Sequence, residues 1–103
     1  NLDDAAWYGG NSANTSHDVA TKKPNELGLY DMSGNVCEWC NDWWGNYSSS
    51  AQTDPIGPAS GSYRVLRGGS WDGVARYCRS SCRSYNYPDC RNDGLGLRLV
   101  LSE

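Results

Sequence analysis

RVLRGGSWDGVARYCRSSCRSYNYPDCRNDGLGLR, residues 64–98, decides the fold. Its two ends read as framework. RVLRGGSW (64–71) and LGLR (95–98) both set strand-forming residues beside glycine, where a backbone turns or passes close to another segment. Between them, residues 72–94 show neither an alternation of period 2 nor an apolar repeat of 3.6. Neither a half-buried strand nor an amphipathic helix is expected there. Asp72, Tyr77, Ser84, Tyr85, Asn86, Tyr87 and Asp93 crowd into that interval. Tyr supplies large contact area at low entropy cost and small polar residues adapt to a partner, so this mixture belongs to binding loops. The reading is a recognition surface held at both ends by rigid scaffold.

Working outward, 103 residues make one domain at most, with a modest buried fraction. The chain has no Phe but 7 Tyr and 5 Trp. Its core is therefore expected to rest on Trp with a few Leu and Val, each indole N–H needing a partner. A net charge of −3 argues against non-specific nucleic-acid binding. No apolar run is long enough to span a membrane. Residues 1–63 hold 8 acids and 2 Lys, and residues 64–103 hold 7 Arg and 4 acids. Arg without Lys points to fixed bidentate pairing, so acids of the first half are expected to pair with Arg of the second.

The 5 cysteines are an odd count. Cys37 and Cys40, and Cys78 and Cys82, have metal-like spacing, and Cys90 stands alone. Zinc needs four good ligands, and no glycine-flanked knuckle pattern surrounds these. Free thiols are the expectation, and no pairing is legible. His17 is the one histidine, with no second base or ligand set beside it, and reads as an exposed loop residue. A short element is expected at Asp18-Val19-Ala20, and a short strand or turn over Leu27, Leu29 and Tyr30. The segment after Gly34, with Trp39, Trp43 and Trp44, reads as a short helix or turn. Residues 45–63 read as a surface loop, with an exposed Ser48-Ser49-Ser50 triplet and a weak glycosylation sequon at Asn46-Tyr47-Ser48.

Asp31 to Glu38 places carboxylate, glycine and carboxylate within eight residues. Hard cations take carboxylate and carbonyl oxygens and need a glycine where the chain bends sharply. On spacing alone the favoured alternative is an ion pair between Glu38 and an Arg of the second half.

Four ordered motifs carry a wider resemblance: NELGLYDMSGNVCEW (25–39), DPIGP (54–58), RVLRGGSW (64–71) and LGLR (95–98). Together they resemble the C-terminal half of a formylglycine-generating-enzyme (sulfatase-modifying factor) domain. The resemblance implies an irregular α+β fold, a variant of the C-type lectin fold, either as a C-terminal half or as a cut-down version, over 1–103. It implies a structural calcium on the side chains of Asp31 and Glu38 and the carbonyls of Met32, Gly34 and Val36. It also implies where copper would sit in the family's oxidases. Those two cysteines fall on Gly73 and Cys78 here, and one thiolate cannot make the two-sulfur site that soft Cu(I) prefers. Copper is therefore not expected, and neither is catalysis.

A narrower resemblance concerns residues 72–94. Variable proteins of diversity-generating retroelements share this fold, and their templates are copied with errors at adenines. Randomising the first two bases of an Asn codon yields many residues but never Lys, Glu, Gln, Met or Trp. Residues 72–94 contain none of these five. By this resemblance Asp72, Gly73, Val74, Tyr77, Cys82, Ser84, Tyr85, Tyr87, Cys90 and Asp93 are diversified positions, and Asn86 and Asn92 unmutated copies. Arg76, Cys78, Arg79, Arg83, Pro88 and Arg91 would be unvaried scaffold. The expected function is a ligand-binding variable protein, displayed at a cell surface or outside the cell, with a protein or cell-surface ligand that the sequence does not identify. The alternative is an oxidase-like or noncatalytic member of the wider family.

Overall fold

Val65 and Leu66 are adjacent in sequence, so their side chains point to opposite faces of a strand, yet they are only 3% and 4% exposed. A strand covered on both faces belongs in the middle of a sheet. The computed structural model, which describes residues 1–45, 57–79 and 82–99, places them so. Strand β1 is Cys37–Trp43, β2 Arg64–Arg67, β3 Arg83–Asn86 and β4 Leu95–Gly96. The sheet order is β3-β2-β1-β4. β2 runs antiparallel to both β1 and β3, and β4 runs parallel to β1. Helix α1, Leu2–Ala5, is capped by the Asn1 side chain, and a 3-10 turn covers Ala75–Cys78.

Two sequence expectations change here. The segment after Gly34 is neither helix nor turn but strand β1. Its alternation is blurred because Cys37 to Cys40 are all half-buried, and β1 is paired on both sides. Trp39 faces Leu66 and Trp43 faces Arg64, so four steps on β1 match two on β2. The bulge this creates further breaks the period. The second change is β3, which lies inside the interval expected to hold no strand. Four residues are too few for a period to emerge. Its pairing partner, not its own pattern, makes it a strand: Arg64 to Arg67 face Asn86 to Arg83 in unbroken register.

The core also differs. The buried apolar residues among those described are Ala6, Val65, Leu66 and Cys78, with no tryptophan. Trp7, Trp39, Trp43, Trp44 and Trp71 are half-buried. Indoles are too large to be enclosed by so few residues. The Arg64 guanidinium sits 3.6 Å from the Trp43 ring centre and that of Arg83 4.4 Å from Trp44.

Asn35 closes the N-terminal segment onto the rest of the chain, beside Gly9, whose N–H donates to the Gly73 carbonyl, and Ser12, whose hydroxyl donates to the Trp71 carbonyl. Asn35 is 4% exposed, with φ +69°. Its backbone N–H donates to the Trp7 carbonyl at 2.7 Å, and its carbonyl accepts from Trp71 N–H at 2.7 Å. Its side chain accepts from His17 N–H and donates to the His17 carbonyl, both at 2.9 Å. The preceding Gly34 has φ +80°, and a Cβ there would stand 2.4 Å from the Trp7 carbonyl oxygen, so only glycine fits. His17 is thereby half-buried, not the exposed loop residue expected. Its ring stacks on Trp7 at 3.7 Å and its Nε2 lies 2.7 Å from the Ser12 carbonyl. Such a ring is invisible as a structural residue in sequence because its partners lie on loops. Asp18-Val19-Ala20 forms a turn rather than an element, with Val19 78% exposed. Leu27 also lies in a turn, as one of the two expected alternatives. Most of DPIGP, the Ser48-Ser49-Ser50 triplet and the Asn46 sequon lie outside the described residues.

Candidate functional site

The twelve expected display positions run from the turn before the 3-10 turn, through it, into β3 and the loops leading into β4. Asp72, Val74, Tyr77, Ser84, Tyr85, Tyr87, Asn92 and Asp93 are exposed, and Gly73, Cys82, Asn86 and Cys90 are half-buried. Cross-strand pairing gathers some of them. Tyr85 lies opposite Val65, and its ring meets Trp44 at 4.5 Å and Tyr63 at 4.8 Å. Tyr63 also meets Tyr87 at 4.7 Å, and the two hydroxyls are 3.4 Å apart. Four aromatic side chains thus form one cluster, with Tyr85 and Tyr87 still 47% and 55% exposed. Trp44 and Tyr63 were not singled out by the sequence. The signal was present in the register alone, because Tyr63 precedes β2 and Tyr87 follows β3 at matching positions. Tyr77 stands elsewhere, with the Arg76 guanidinium 5.3 Å from its ring centre.

The interleaved scaffold positions divide. Cys78 is buried, and Arg83 is half-buried with its guanidinium over Trp44. Arg76, Arg79, Pro88 and Arg91 are exposed. They lie on loops and the 3-10 turn, where no period sorts inward from outward side chains.

The Asp31 to Glu38 turn is the second constellation. The cross-half pairing read from charge distribution is realised here. Arg98 Nε donates to Glu38 Oε1 at 3.0 Å and Arg98 Nη2 to Glu38 Oε2 at 2.9 Å. The same Nη2 donates to the carbonyls of Tyr30 and Asp31, at 2.8 and 3.0 Å. The Glu38 carboxylate pushes the Arg98 pKa further up. Asp31 is 8% exposed with φ +56°. Its Oδ2 accepts from Ala20 N–H at 2.8 Å, while its Oδ1 is buried with no hydrogen-bond partner. A buried carboxylate oxygen without a donor is costly, so this atom fits a cation. An ionised carboxylate has about four lone-pair directions, so the Glu38 oxygens also keep acceptor capacity beyond Arg98.

The thiols are all free. Burial pushes the Cys37, Cys40 and Cys78 thiols above the ordinary value. At the two copper-equivalent positions, Cys78 is buried and Gly73 has no side chain. A Cβ built on Gly73 would meet Tyr77 Cδ2 at 3.4 Å, an ordinary contact. Among the described residues no three His, Cys, Asp or Glu side chains converge as a metal set, and no helix is long and apolar enough to cross a membrane.

Residues 2–103 match the sulfatase-modifying factor enzyme 1-like domain. Among solved structures, Treponema denticola variable protein 1 is similar with a TM-score of 0.88 and 50% identity, over 93% of this chain and 35% of that one. PvdO from Pseudomonas aeruginosa is similar with a TM-score of 0.79 and 28% identity, over 91% of this chain and 38% of that one. The formylglycine-generating enzyme of Streptomyces coelicolor is 45% identical over 85 residues, 78% of this chain and 27% of the enzyme. Serine/threonine-protein kinase pkn1 of Chlamydia pneumoniae is 49% identical over 84 residues, 78% of this chain and 14% of the kinase. The chain thus spans a minor part of each relative. Its strand-rich, helix-poor architecture is the C-type-lectin-like fold of these neighbours, present as part of a domain. Matched over nearly its whole length, the chain belongs to the sulfatase-modifying factor family and is similar within it to a variable protein.

Proposed function

We propose that this chain is the display part of a diversity-generating-retroelement variable protein, presenting diversified side chains to a protein or cell-surface ligand. The observation that carries the reading is the exposure of Tyr77, Tyr85 and Tyr87, at 46%, 47% and 55%, beside a frame in which Val65 and Leu66 of β2 are buried. Tyr85 and Tyr87, held in a cluster yet open on one side, offer contact area with little entropy left to lose. Likeness to a variable protein at 50% identity supports the same assignment. Display at a cell surface follows from the role.

The experiment is a pair of variants, Tyr85→Ser and Tyr87→Ser, tested against a ligand returned by a display screen. Each should retain a cooperative melt and lose at least about 30-fold in affinity, the scale of a hot-spot tyrosine at roughly 2 kcal/mol. Variants that unfold, or that bind as the parent does, would overturn the assignment. A nearby DNA repeat differing only at adenines, beside a reverse transcriptase gene, is the expected genetic context.

The chain is read as noncatalytic, because Gly73 supplies no sulfur where the family's oxidases need one. Turnover of a cysteine-containing sulfatase peptide by the unmodified chain would refute this, and Gly73→Cys tests the geometry in the other direction. A structural calcium is proposed at the Asp31 and Glu38 carboxylates with the Met32, Gly34 and Val36 carbonyls. The unpartnered Asp31 Oδ1 supports it.

A further inference from the structure

The rings of Trp44, Tyr63, Tyr85 and Tyr87 touch, but they do not lie flat. Trp44 meets Tyr85 with the two rings 38° apart, Tyr63 meets Tyr85 at 57°, and Tyr63 meets Tyr87 at 46°. Rings tilted this way make ridges with clefts between them. The flat face of a sugar would rest on one ring at a time. Two of the four rings are constant on the display reading, because Trp44 and Tyr63 lie outside residues 72–94. The Trp44 N–H donates to the Tyr63 carbonyl at 2.8 Å, so backbone holds these two residues together whatever stands at 85 and 87.

Hydrogen bonding narrows the ligand first. The Tyr63 and Tyr87 hydroxyls stand 3.4 Å apart and are exposed. When one donates to the other, the second O–H is left for a ligand. A proline-rich segment is the complementary case. Proline brings a carbonyl and no N–H, and a polyproline II helix uses none of its carbonyls internally. Charge narrows it further. The Arg64 and Arg83 guanidiniums stand over the rings of Trp43 and Trp44. With cations already on those indoles, a basic or quaternary-ammonium ligand is disfavoured, and carboxylates beside an uncharged segment are attracted. Entropy agrees. Rings already in contact lose little freedom, and a polyproline II helix is stiff before it binds.

We propose that Trp44, Tyr63, Tyr85 and Tyr87 form a docking site for a proline-rich segment of a protein partner, with acidic residues flanking the prolines. The proposal rests on the display reading for its surface and adds the chemistry of what that surface takes. Tyr63 is then a constant contact, shared by every variant that diversification makes at 85 and 87.

The test titrates the full chain into two fluorescein-labelled peptides, a hexaproline ending in glutamates and its lysine-ended twin, and reads anisotropy. The glutamate-ended peptide should bind more tightly, with the difference shrinking as salt rises. Tyr63→Ser and Tyr87→Ser should each weaken it at least about 30-fold, the loss of a hot-spot ring. Tyr63→Phe, which keeps the ring and loses one hydrogen bond, should weaken it about 5-fold. Equal or tighter binding of the lysine-ended peptide would overturn the proposal, as would unchanged affinity in Tyr63→Ser, or capture of cellohexaose in place of both peptides. If neither peptide binds while a screened ligand still depends on Tyr85 and Tyr87, the proline assignment falls and the display reading stands. Chemical-shift mapping on the unmodified chain should move the Tyr63 and Tyr87 rings and the Trp44 indole, so the result holds even where a serine variant fails to fold.

Discussion

Replacing Asn35 separates two contributions that a single residue makes to closing the N-terminal segment on the sheet. Asn35→Ala removes both side-chain hydrogen bonds to His17 while keeping the backbone bonds to Trp7 and Trp71. Each bond is worth about 1 kcal/mol net, and a partner left buried without one costs about 1 to 3. His17 is half-buried, so water reaches part of the exposed valence and the lower end applies. Asparagine tolerates φ +69° better than alanine, adding about 1 kcal/mol of strain. Asn35→Ala should therefore cost about 3 to 4 kcal/mol. Asn35→Gly loses the same bonds without the strain, and should cost about 1 kcal/mol less. Asn35→Asp keeps the acceptor for His17 N–H but turns a second acceptor toward the His17 carbonyl, and should be no better than alanine. The assay is urea denaturation of each variant at pH 7, with unchanged slope as the check on comparable unfolding. An Asn35→Ala change below about 0.5 kcal/mol, the scale of an ordinary surface substitution, would refute the reasoning. Glycine worse than alanine would refute the strain component.

Chelator should lower the melting temperature and Asp31→Ala should abolish that response, since an ion bound only to the native state stabilises by mass action. An unchanged melt in chelator would leave Glu38 to Arg98 alone. Arg98→Ala strands a Glu38 carboxylate and two carbonyls. With both side chains partly exposed, at 32% and 24%, the loss should fall below the 3 to 5 kcal/mol expected for breaking an enclosed pair, at about 2 to 3; a silent variant in the same urea assay would count against the pairing. Cys37 and Cys78 are raised above their ordinary 9.0 by burial. The folded state then holds these protons longer than the unfolded chain, so their contribution is whole below pH 9 and fades as pH rises through the folded pKa values. Cys37→Ser with Cys78→Ser should flatten the alkaline loss of stability, measured as melting temperature from pH 8 to 11.

What was legible in the sequence follows from where its partners lie. Arg64 to Arg67, Leu95 and Gly96 could be read as framework because strand formers beside glycine carry local information. The bond between Glu38 and Arg98, 60 residues apart, was legible from charge asymmetry, since an Arg-rich half must find acids somewhere. Strand β1 was misread because burial on both faces erased its alternation, and β3 because a four-residue edge strand takes its identity from β2. Asn35, His17 and the Trp44 and Tyr63 rings were missed for one physical reason. Each acts through loop backbone or a cross-strand row, and neither leaves a period along the chain. The tryptophans were placed in the core by type, but so small a set of enclosing residues buries Val65, Leu66 and Cys78 and leaves the indoles half-buried.

The aromatic cluster changes what diversification can do on the display reading. A position that varies freely should touch only solvent and ligand. Tyr87 nearly satisfies this, while Tyr85 also rests on Trp44 and Tyr63. Ring pairs of this kind contribute about 0.5 to 1.5 kcal/mol beyond burial, so substitutions at 85 carry a stability cost that those at 87 share through Tyr63 alone. The cost is bounded because β3 is an edge strand, held by backbone pairing with β2 whatever side chain stands at 85. The frame stores its determinants elsewhere: the Arg98 bonds, the Asn35 bonds, and Val65 with Leu66 all lie outside residues 72–94. Among the described residues of the interval only Cys78 joins the core, and it is one of the positions that adenine errors are not expected to reach. Variation can then move along β3 and the loops while the fold remains set by residues on either side.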